Sequence, residues 1–175
     1  MEANEARRET YRELINSLPE EDLVYLDESG IEEGICKEHA WSPIGYPVPG
    51  KRSGQSCKRV NIIGALNQSK LLAPFTFYGS CNTNIFNLWL EKVLIPELEP
   101  GKVIILDNAS FHKSERTKKI IEEAGCRVIF LPPYSPDLNP IEKFWAKMKK
   151  WIRNRRLNLE TLQQAISNFF ASNTC

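Results

Sequence analysis

Apolar residues recur along this chain with two different periods, and the changes from one to the other divide it into elements. Tyr11, Leu14, Ile15 and Leu18 fall at helical spacing within residues 3 to 18, and Pro19 closes the segment, which predicts a short amphipathic helix. Val24-Tyr25-Leu26-Asp27 is a compact apolar run that ends in an acid and is expected to stop at Ser29-Gly30. Residues 31 to 58 lose periodicity and carry Pro43, Pro47, Pro49, Gly45, Gly50 and Gly54 with Lys51, Arg52 and Lys58. Such a long irregular excursion inside a domain usually serves function. Val60 to Leu66 and Leu71 to Tyr78 read as strands joined by the turn Asn67-Gln68-Ser69-Lys70, an antiparallel hairpin. Asn84 to Leu98 places Ile85, Leu88, Trp89, Lys92 and Ile95 on one helical stripe, with Asn82 or Thr83 as cap. Val103-Ile104-Ile105-Leu106 and Val128-Ile129-Phe130-Leu131 are apolar on both faces and flank a helix over Ser114 to Ala124 that ends at Gly125. They are expected to be central parallel strands of a βαβ unit. After Pro132-Pro133-Tyr134-Ser135-Pro136, a last helix starts near Pro140 and buries Ile141, Phe144, Trp145, Met148 and Ile152.

The predicted sheet is mixed, with the first strand beside the fourth so that the hairpin and the βαβ unit extend outward on opposite sides. This α/β class, a five-stranded mixed sheet flanked by helices, matches the ribonuclease-H-like arrangement. Its predicted division is an amino-terminal helix and lead-in over residues 1–22, then one domain over 23–175 with 31–58 as an inserted loop.

Composition narrows the class further. A chain of 175 residues, 42% apolar and 26% charged, is one domain's worth and buries about 70% of its unfolded surface. It has no apolar run of the roughly eighteen residues that cross a bilayer. Nor does it have a charged-then-apolar leader with a small-residue cleavage site. Five cysteines (Cys36, Cys57, Cys81, Cys126, Cys175) without C-x-x-C spacing, and only two histidines, read as reduced thiols of a cytoplasmic protein with no membrane contact. Net charge is +1, but its distribution is uneven: residues 1 to 35 hold eleven acids against three arginines, and residues 143 to 156 hold seven bases and no acid. A basic segment of that density suits a polyanion, although a solvated helix face is charged too.

Three acids sit where chemistry would want them. Asp27 and Asp107 each end an apolar run, and in α/β sheets active sites gather at the carboxyl ends of parallel strands. Two carboxylates brought together repel unless hard divalent cations neutralise them, and two such ions serve phosphodiester chemistry well. An Asp at a strand end is equally a turn former or a cap. Glu142 also fits a capping box, with Asn139 as N-cap and Pro140 at N1.

The stretches Tyr25-Leu26-Asp27-Glu28-Ser29-Gly30, Leu106-Asp107-Asn108-Ala109-Ser110-Phe111-His112 and Leu131-Pro132-Pro133-Tyr134-Ser135-Pro136-Asp137-Leu138-Asn139-Pro140-Ile141-Glu142, with 34 residues between Asp107 and Glu142, resemble the DDE transposases of the Tc-mariner and bacterial insertion-sequence superfamily. Trp41 and Gly64-Ala65 extend the likeness. The resemblance implies Asp27, Asp107 and Glu142 as catalytic acids and ligands of two Mg²⁺ or Mn²⁺ ions, with Asn108 and His112 beside them to orient water or phosphate; His112 reads equally as a satisfied polar residue at a helix start. It implies metal-dependent cleavage of duplex DNA at an element's ends and transfer of the freed 3′-hydroxyl into target DNA, usually at a TA step, by a homo-oligomer. Lys143, Lys147, Lys149, Lys150 and Arg153 on the last helix, and Lys51, Arg52, Lys58 and Arg59 around the long loop, are the candidate DNA contacts. Full-length members carry helix-turn-helix modules, which are not expected in the 22 residues before the first strand. The alternatives are a ribonuclease-H or junction-resolving nuclease, which would lack the Pro-Pro-Tyr-Ser-Pro-Asp-Leu-Asn-Pro motif, and a non-catalytic or inhibitory DNA-binding fragment.

Overall fold

In the computed structural model of the chain, which describes residues 5–32, 43–46, 59–156 and 161–172, the run that begins at Leu23 does not stop at Ser29-Gly30. It continues as one ten-residue strand, β1 (Leu23–Glu32). The reason is β2 (Arg59–Asn67), which pairs antiparallel along nearly all of it, from Val24↔Asn67 to Glu32↔Arg59. Gly30 is a ladder position rather than a turn, paired with Asn61 of β2.

β2 turns back into β3 (Lys70–Tyr78) as an antiparallel hairpin, with Gln68 at φ 52° in the connection. The sheet order is β3-β2-β1-β4-β5, with β4 (Val103–Leu106) parallel to both β1 and β5 (Arg127–Phe130). This is the mixed sheet that the apolar runs predict. β4 is buried at all four positions, as a strand covered on both faces must be.

Helices cover both faces. On one side α2 (Thr83–Trp89), which runs on through a wide π turn over Leu90–Leu94 and a tight turn over Ile95–Glu97, packs with α3 (Glu115–Glu123). The Asn82 side chain caps α2 by accepting from the amides of Asn84 and Ile85. The predicted stripe of α2 is corrected: Leu88 is 59% exposed, and Phe86, Trp89, Leu90 and Leu94 are the buried members. Lys92, expected on that stripe, instead pairs with Glu91.

On the opposite side lie α4 (Pro140–Arg156) and a helix the periodicity did not predict, α5 (Leu162–Ala171). Thr161 and Gln164 form a capping box at its start, and Leu162, Ala165, Ile166 and Phe169 are buried against Trp145, Met148 and Ile152. The first helix, α1 (Glu5–Asn16), buries only Tyr11, which packs with Leu23, Val103, Ile105 and Leu131 below the sheet. Leu14, predicted on its buried face, is 44% exposed.

One close approach sets where α4 sits. A Cβ at Gly64 on β2 would meet the Trp145 ring at 3.2 Å, so the bare backbone lets α4 lie directly on the sheet. Gly64 is the register partner of Asp27. The first turn of α4 is thereby brought beside the acid of β1.

Candidate active site

Asp27 is not at the end of its strand, but the parallel pairing of β1 with β4 ends at Tyr25↔Ile105, two residues before it. Past that point β1 pairs only with β2, so Asp27 stands at the mouth of the parallel half of the sheet. Asp107 directly follows β4. Glu142 lies in the first turn of α4, whose N-terminus carries positive dipole character. All three line one pocket of about 230 Å³, together with Asn108, Ala109, Leu131, Pro132, Tyr134, Ser135, Pro136 and Asn139.

The three acids differ in environment. Asp27 is the most deeply set: burial, then the charges of Glu142, Glu28 and Asp107, push its carboxyl up to about 7. Its Oδ2 is buried and has no hydrogen-bond partner. Burial also pushes Asp107 up, but the His112 hydrogen bond and the Ala109 amide outweigh it and hold this acid below its usual range. Glu142 is exposed at the pocket wall.

Asp107 Oδ1 accepts from the Ala109 amide at 2.8 Å and from His112 Nδ1 at 2.6 Å. His112 is 1% exposed, and its Nε2 reaches Glu28 Oε1 at 3.1 Å. Burial alone would lower the imidazole, but the two carboxylates prevail and push it up to about 9, so both ring nitrogens donate. The ring also packs at a tilt against Phe86 and edge-on against Phe111, at 4.4 and 4.2 Å between centroids. Of the two readings of His112, the structure shows the satisfied polar residue: it bridges Asp107 and Glu28 and is not among the residues lining the pocket. Cys81 Sγ lies 3.9 Å from the same Glu28 oxygen, and burial followed by that charge pushes the thiol up to about 12, which leaves it inert as a nucleophile.

Asn108 lines the pocket but donates its amide to the Leu131 carbonyl, tying the exit of β4 to that of β5. The predicted capping box at α4 is not formed. The Asn139 backbone carbonyl accepts from the Glu142 amide at 3.2 Å, while Asn139 Oδ1 is buried without a partner.

Two residues of the site have no clear signal in the sequence. Glu28 is visible there only as the neighbour of Asp27. Arg8 of α1 donates to Ser135 Oγ at 2.8 Å and to both carboxylate oxygens of Asp137, which anchors the loop leading into α4. No spacing pattern links Arg8 to a residue 127 positions away.

Of the basic candidates, Lys143, Lys147, Lys150 and Arg153 are exposed on α4 and Lys149 is half-buried. Arg59 bonds Asn61 at 3.0 Å and does not line the pocket. Lys51, Arg52, Lys58 and Trp41 lie outside the described residues, as do Cys36, Cys57 and Cys175. Cys81 and Cys126 are unpaired. No helix among the described residues is long and apolar enough to cross a membrane.

Among the described residues, no three carboxylate, imidazole or thiol groups form a ready-made metal cage. The donor set nevertheless fits a hard divalent cation, because the buried and unpartnered Asp27 Oδ2 requires a donor or a positive charge. Mg²⁺ also takes only one or two carboxylates besides water and substrate phosphate, so a closed cage is not needed.

An acid on β1, one just past the adjoining β4 and a third in the first turn of α4 thus line one pocket of a ribonuclease-H-like sheet. Residues 22–163 match the family described as DDE superfamily endonuclease, and the chain belongs to it. Its fold is that of the Mos1 transposase catalytic domain, with a TM-score of 0.64 and 17% identity over 98% of this chain and 84% of that one. The Mos1 strand transfer complex aligns with a TM-score of 0.70 and 18% identity, covering all of this chain and 64% of that one. The Mos1 paired-end complex with the left transposon end aligns at 0.68 with 19% identity, over 86% and 50%. An uncharacterized protein of Sinorhizobium fredii, y4pE/y4sA, is 43% identical over 54 residues, which is 30% of this chain and 38% of that protein. The chain therefore spans well under two thirds of that relative and about half of the Mos1 chain in the paired-end complex.

Proposed function

We propose that residues 23–175 are the catalytic domain of a cut-and-paste DNA transposase, acting in the cytoplasm as a homo-oligomer on element ends and on target DNA, with TA as the target step. One observation carries this reading: Asp27, Asp107 and Glu142, from three separate elements, line a single pocket. Two Mg²⁺ or Mn²⁺ ions held by these acids would supply Lewis-acid polarisation of the phosphate and make water, then a 3′-hydroxyl, nucleophilic near neutral pH.

The chain's own residues do the rest. Asp27 offers Oδ2, which no protein group claims. Asp107 has Oδ1 committed to His112 and the Ala109 amide, which fixes the carboxylate plane and leaves Oδ2 outside both contacts. Glu142 reaches the same pocket from a helix N-terminus, where the dipole also favours a phosphate. Lys149 and Arg153 follow Glu142 on α4, and in this reading they would hold the DNA backbone beside it.

The reading predicts that the chain nicks duplex DNA in Mg²⁺ or Mn²⁺ and that EDTA stops it. Asp27→Asn, Asp107→Asn and Glu142→Gln should each lower the rate by about 10³-fold or more while the protein stays folded, as loss of a group acting only in the transition state does. A folded Glu142→Gln variant that nicks at the wild-type rate would remove Glu142 from the centre. Metal-independent cleavage would remove the ions.

A further inference from the structure

Asn139 occupies the position of a helix cap without using its side chain as one. It is 4% exposed, its Oδ1 has neither solvent nor a hydrogen-bond partner, and it lines the same pocket as Asp27, Asp107 and Glu142. Its backbone is meanwhile fixed from both sides, the amide donating to the Pro136 carbonyl at 3.0 Å and the carbonyl accepting from Glu142 at 3.2 Å. A buried acceptor left unmade is strongly disfavoured, so a fold that keeps one in a pocket expects its partner from outside the chain. Asp27 Oδ2 is a second such acceptor on the same pocket.

The substrate's chemistry decides what that partner is. A phosphodiester presents only acceptor oxygens, so an amide oxygen cannot recognise it. The donors that reach a centre of this kind are the O–H groups of water and of a 3′-hydroxyl, and the only other complement is a cation. An amide oxygen is too weak a base to remove a proton, but it fixes the direction of an O–H bond and therefore of the oxygen lone pair that attacks.

Building on the metal-nuclease reading, in which Asp27 Oδ2 faces the cation, we propose that Asn139 is a fourth residue of the centre: its Oδ1 accepts a hydrogen bond from the water that a divalent cation brings into the pocket, and so positions the attacking oxygen. The side chain is held there rather than at the helix end because its backbone carbonyl already meets the Glu142 amide. Asn139 thus positions the nucleophile and takes no proton from it.

The experiment compares Asn139→Leu, close in shape and without polar atoms, with wild type in EDTA and across a Mn²⁺ titration, reading the melting temperature and the nicking of a synthetic duplex. Removal of an orphaned acceptor should leave the metal-free melting temperature unchanged or higher. The Mn²⁺ midpoint should weaken and nicking should slow, each by about 10–100-fold, the range found when groups behind a metal are removed. An Asn139→Leu protein that melts lower without metal but keeps the wild-type Mn²⁺ midpoint would make Asn139 a structural residue and overturn the proposal. Should Asn139→Leu fail to fold, Asn139→Ala and Asn139→Asp carry the comparison: Asn139→Asp keeps an acceptor and the Mn²⁺ response, Asn139→Ala loses it, and equal responses in the two overturn the proposal. Absence of any Mn²⁺ response in wild type would overturn the metal-nuclease reading itself, and this inference with it.

Discussion

Arg8 grips Asp137 with both arms of its guanidinium, Nη1 to Oδ1 at 3.0 Å and Nη2 to Oδ2 at 2.5 Å, while donating to Ser135 at 2.8 Å. The first helix is thereby fastened to the loop that delivers Asn139 and Glu142 to the pocket. A bidentate fork fixes geometry as well as proximity. Asp137 is 60% exposed, so the pair is placed to set position more than to add stability. Arg8→Ala should slow metal-dependent nicking by about tenfold, the scale on which small misplacements of reacting groups act, with little change in the urea midpoint. The charge swap Arg8→Asp with Asp137→Arg should recover part of the rate. Equal rates in wild type and Arg8→Ala would show that the loop holds its shape without α1.

The acid on β1 makes the metal-free protein sensitive to pH. Asp27 is pushed up to about 7 from an ordinary 3.8. The folded state therefore holds this proton over a range where the unfolded state has released it, and metal-free stability should fall as pH rises from about 4 to about 7. Asp27→Asn removes this effect, so in EDTA at pH 8 the variant should melt above wild type, by about 2–4 °C for each kcal/mol relieved in a chain of this size. At the acid end of the range the two should converge. Thermal melts followed by circular dichroism at both ends of the range test the sign, and a variant that melts below wild type at pH 8 would contradict it.

His112 gains its partners by becoming charged, where Asp27 avoids charge by keeping a proton. The imidazole is raised to about 9 in the folded protein from an ordinary 6.5. Its contribution to stability is then complete below about 6.5 and is lost as pH climbs through about 9. Glu28→Gln withdraws one of the two carboxylates and should lower the titration midpoint of the ring, read by NMR. It should also slow nicking by about 10-fold, because Glu28 steadies the ring that holds Asp107. An unchanged midpoint would mean that Asp107 alone sets the charge of the ring.

The centre was largely legible in the sequence because its acids coincide with breaks in hydrophobic pattern. Asp107 follows a run buried on both faces, Asp27 interrupts another, and Pro140 marks where α4 begins, so backbone period and chemistry point to the same positions. What was missed depends on tertiary packing. Asn139 and Glu142 have the spacing of a capping box, but a backbone bond takes the cap's place and leaves the Asn139 side chain to the pocket, which no local spacing encodes. In α2 two stripes competed. The buried one, Phe86, Trp89, Leu90 and Leu94, has ordinary i, i+3, i+4, i+8 spacing, so the period contained it and only the choice of stripe was wrong. α5 had a readable signal in Thr161-x-x-Gln164 with Leu162, Ala165, Ile166 and Phe169, hidden by the charge run just before it. Gly30, expected to end its strand, is paired with Asn61 in mid-ladder, because the long β2 supplies partners on both sides of it.

The basic face of α4 separates holding DNA from reading it. Lys149 and Arg153 follow Glu142 by two and three helical turns and so share its stripe, while Lys143, Lys147 and Lys150 form the neighbouring one. Contacts from such side chains to phosphates release counterions but carry no base information, which groove edges alone supply. The chain should therefore bind duplex DNA with a steep salt dependence and little preference between an element end and scrambled DNA at matched salt. Lys149→Ala with Arg153→Ala should weaken both equally and flatten the slope of log affinity against log salt by up to about two units, roughly one for each phosphate that is no longer neutralised. The same pair in the neighbouring stripe, Lys143→Ala with Lys147→Ala, should flatten that slope with a smaller loss of nicking, because only the first stripe runs on from Glu142. Strong discrimination between the two DNAs by this chain would instead require a base-reading surface, and its loss in the Lys149→Ala, Arg153→Ala variant would place that surface on α4.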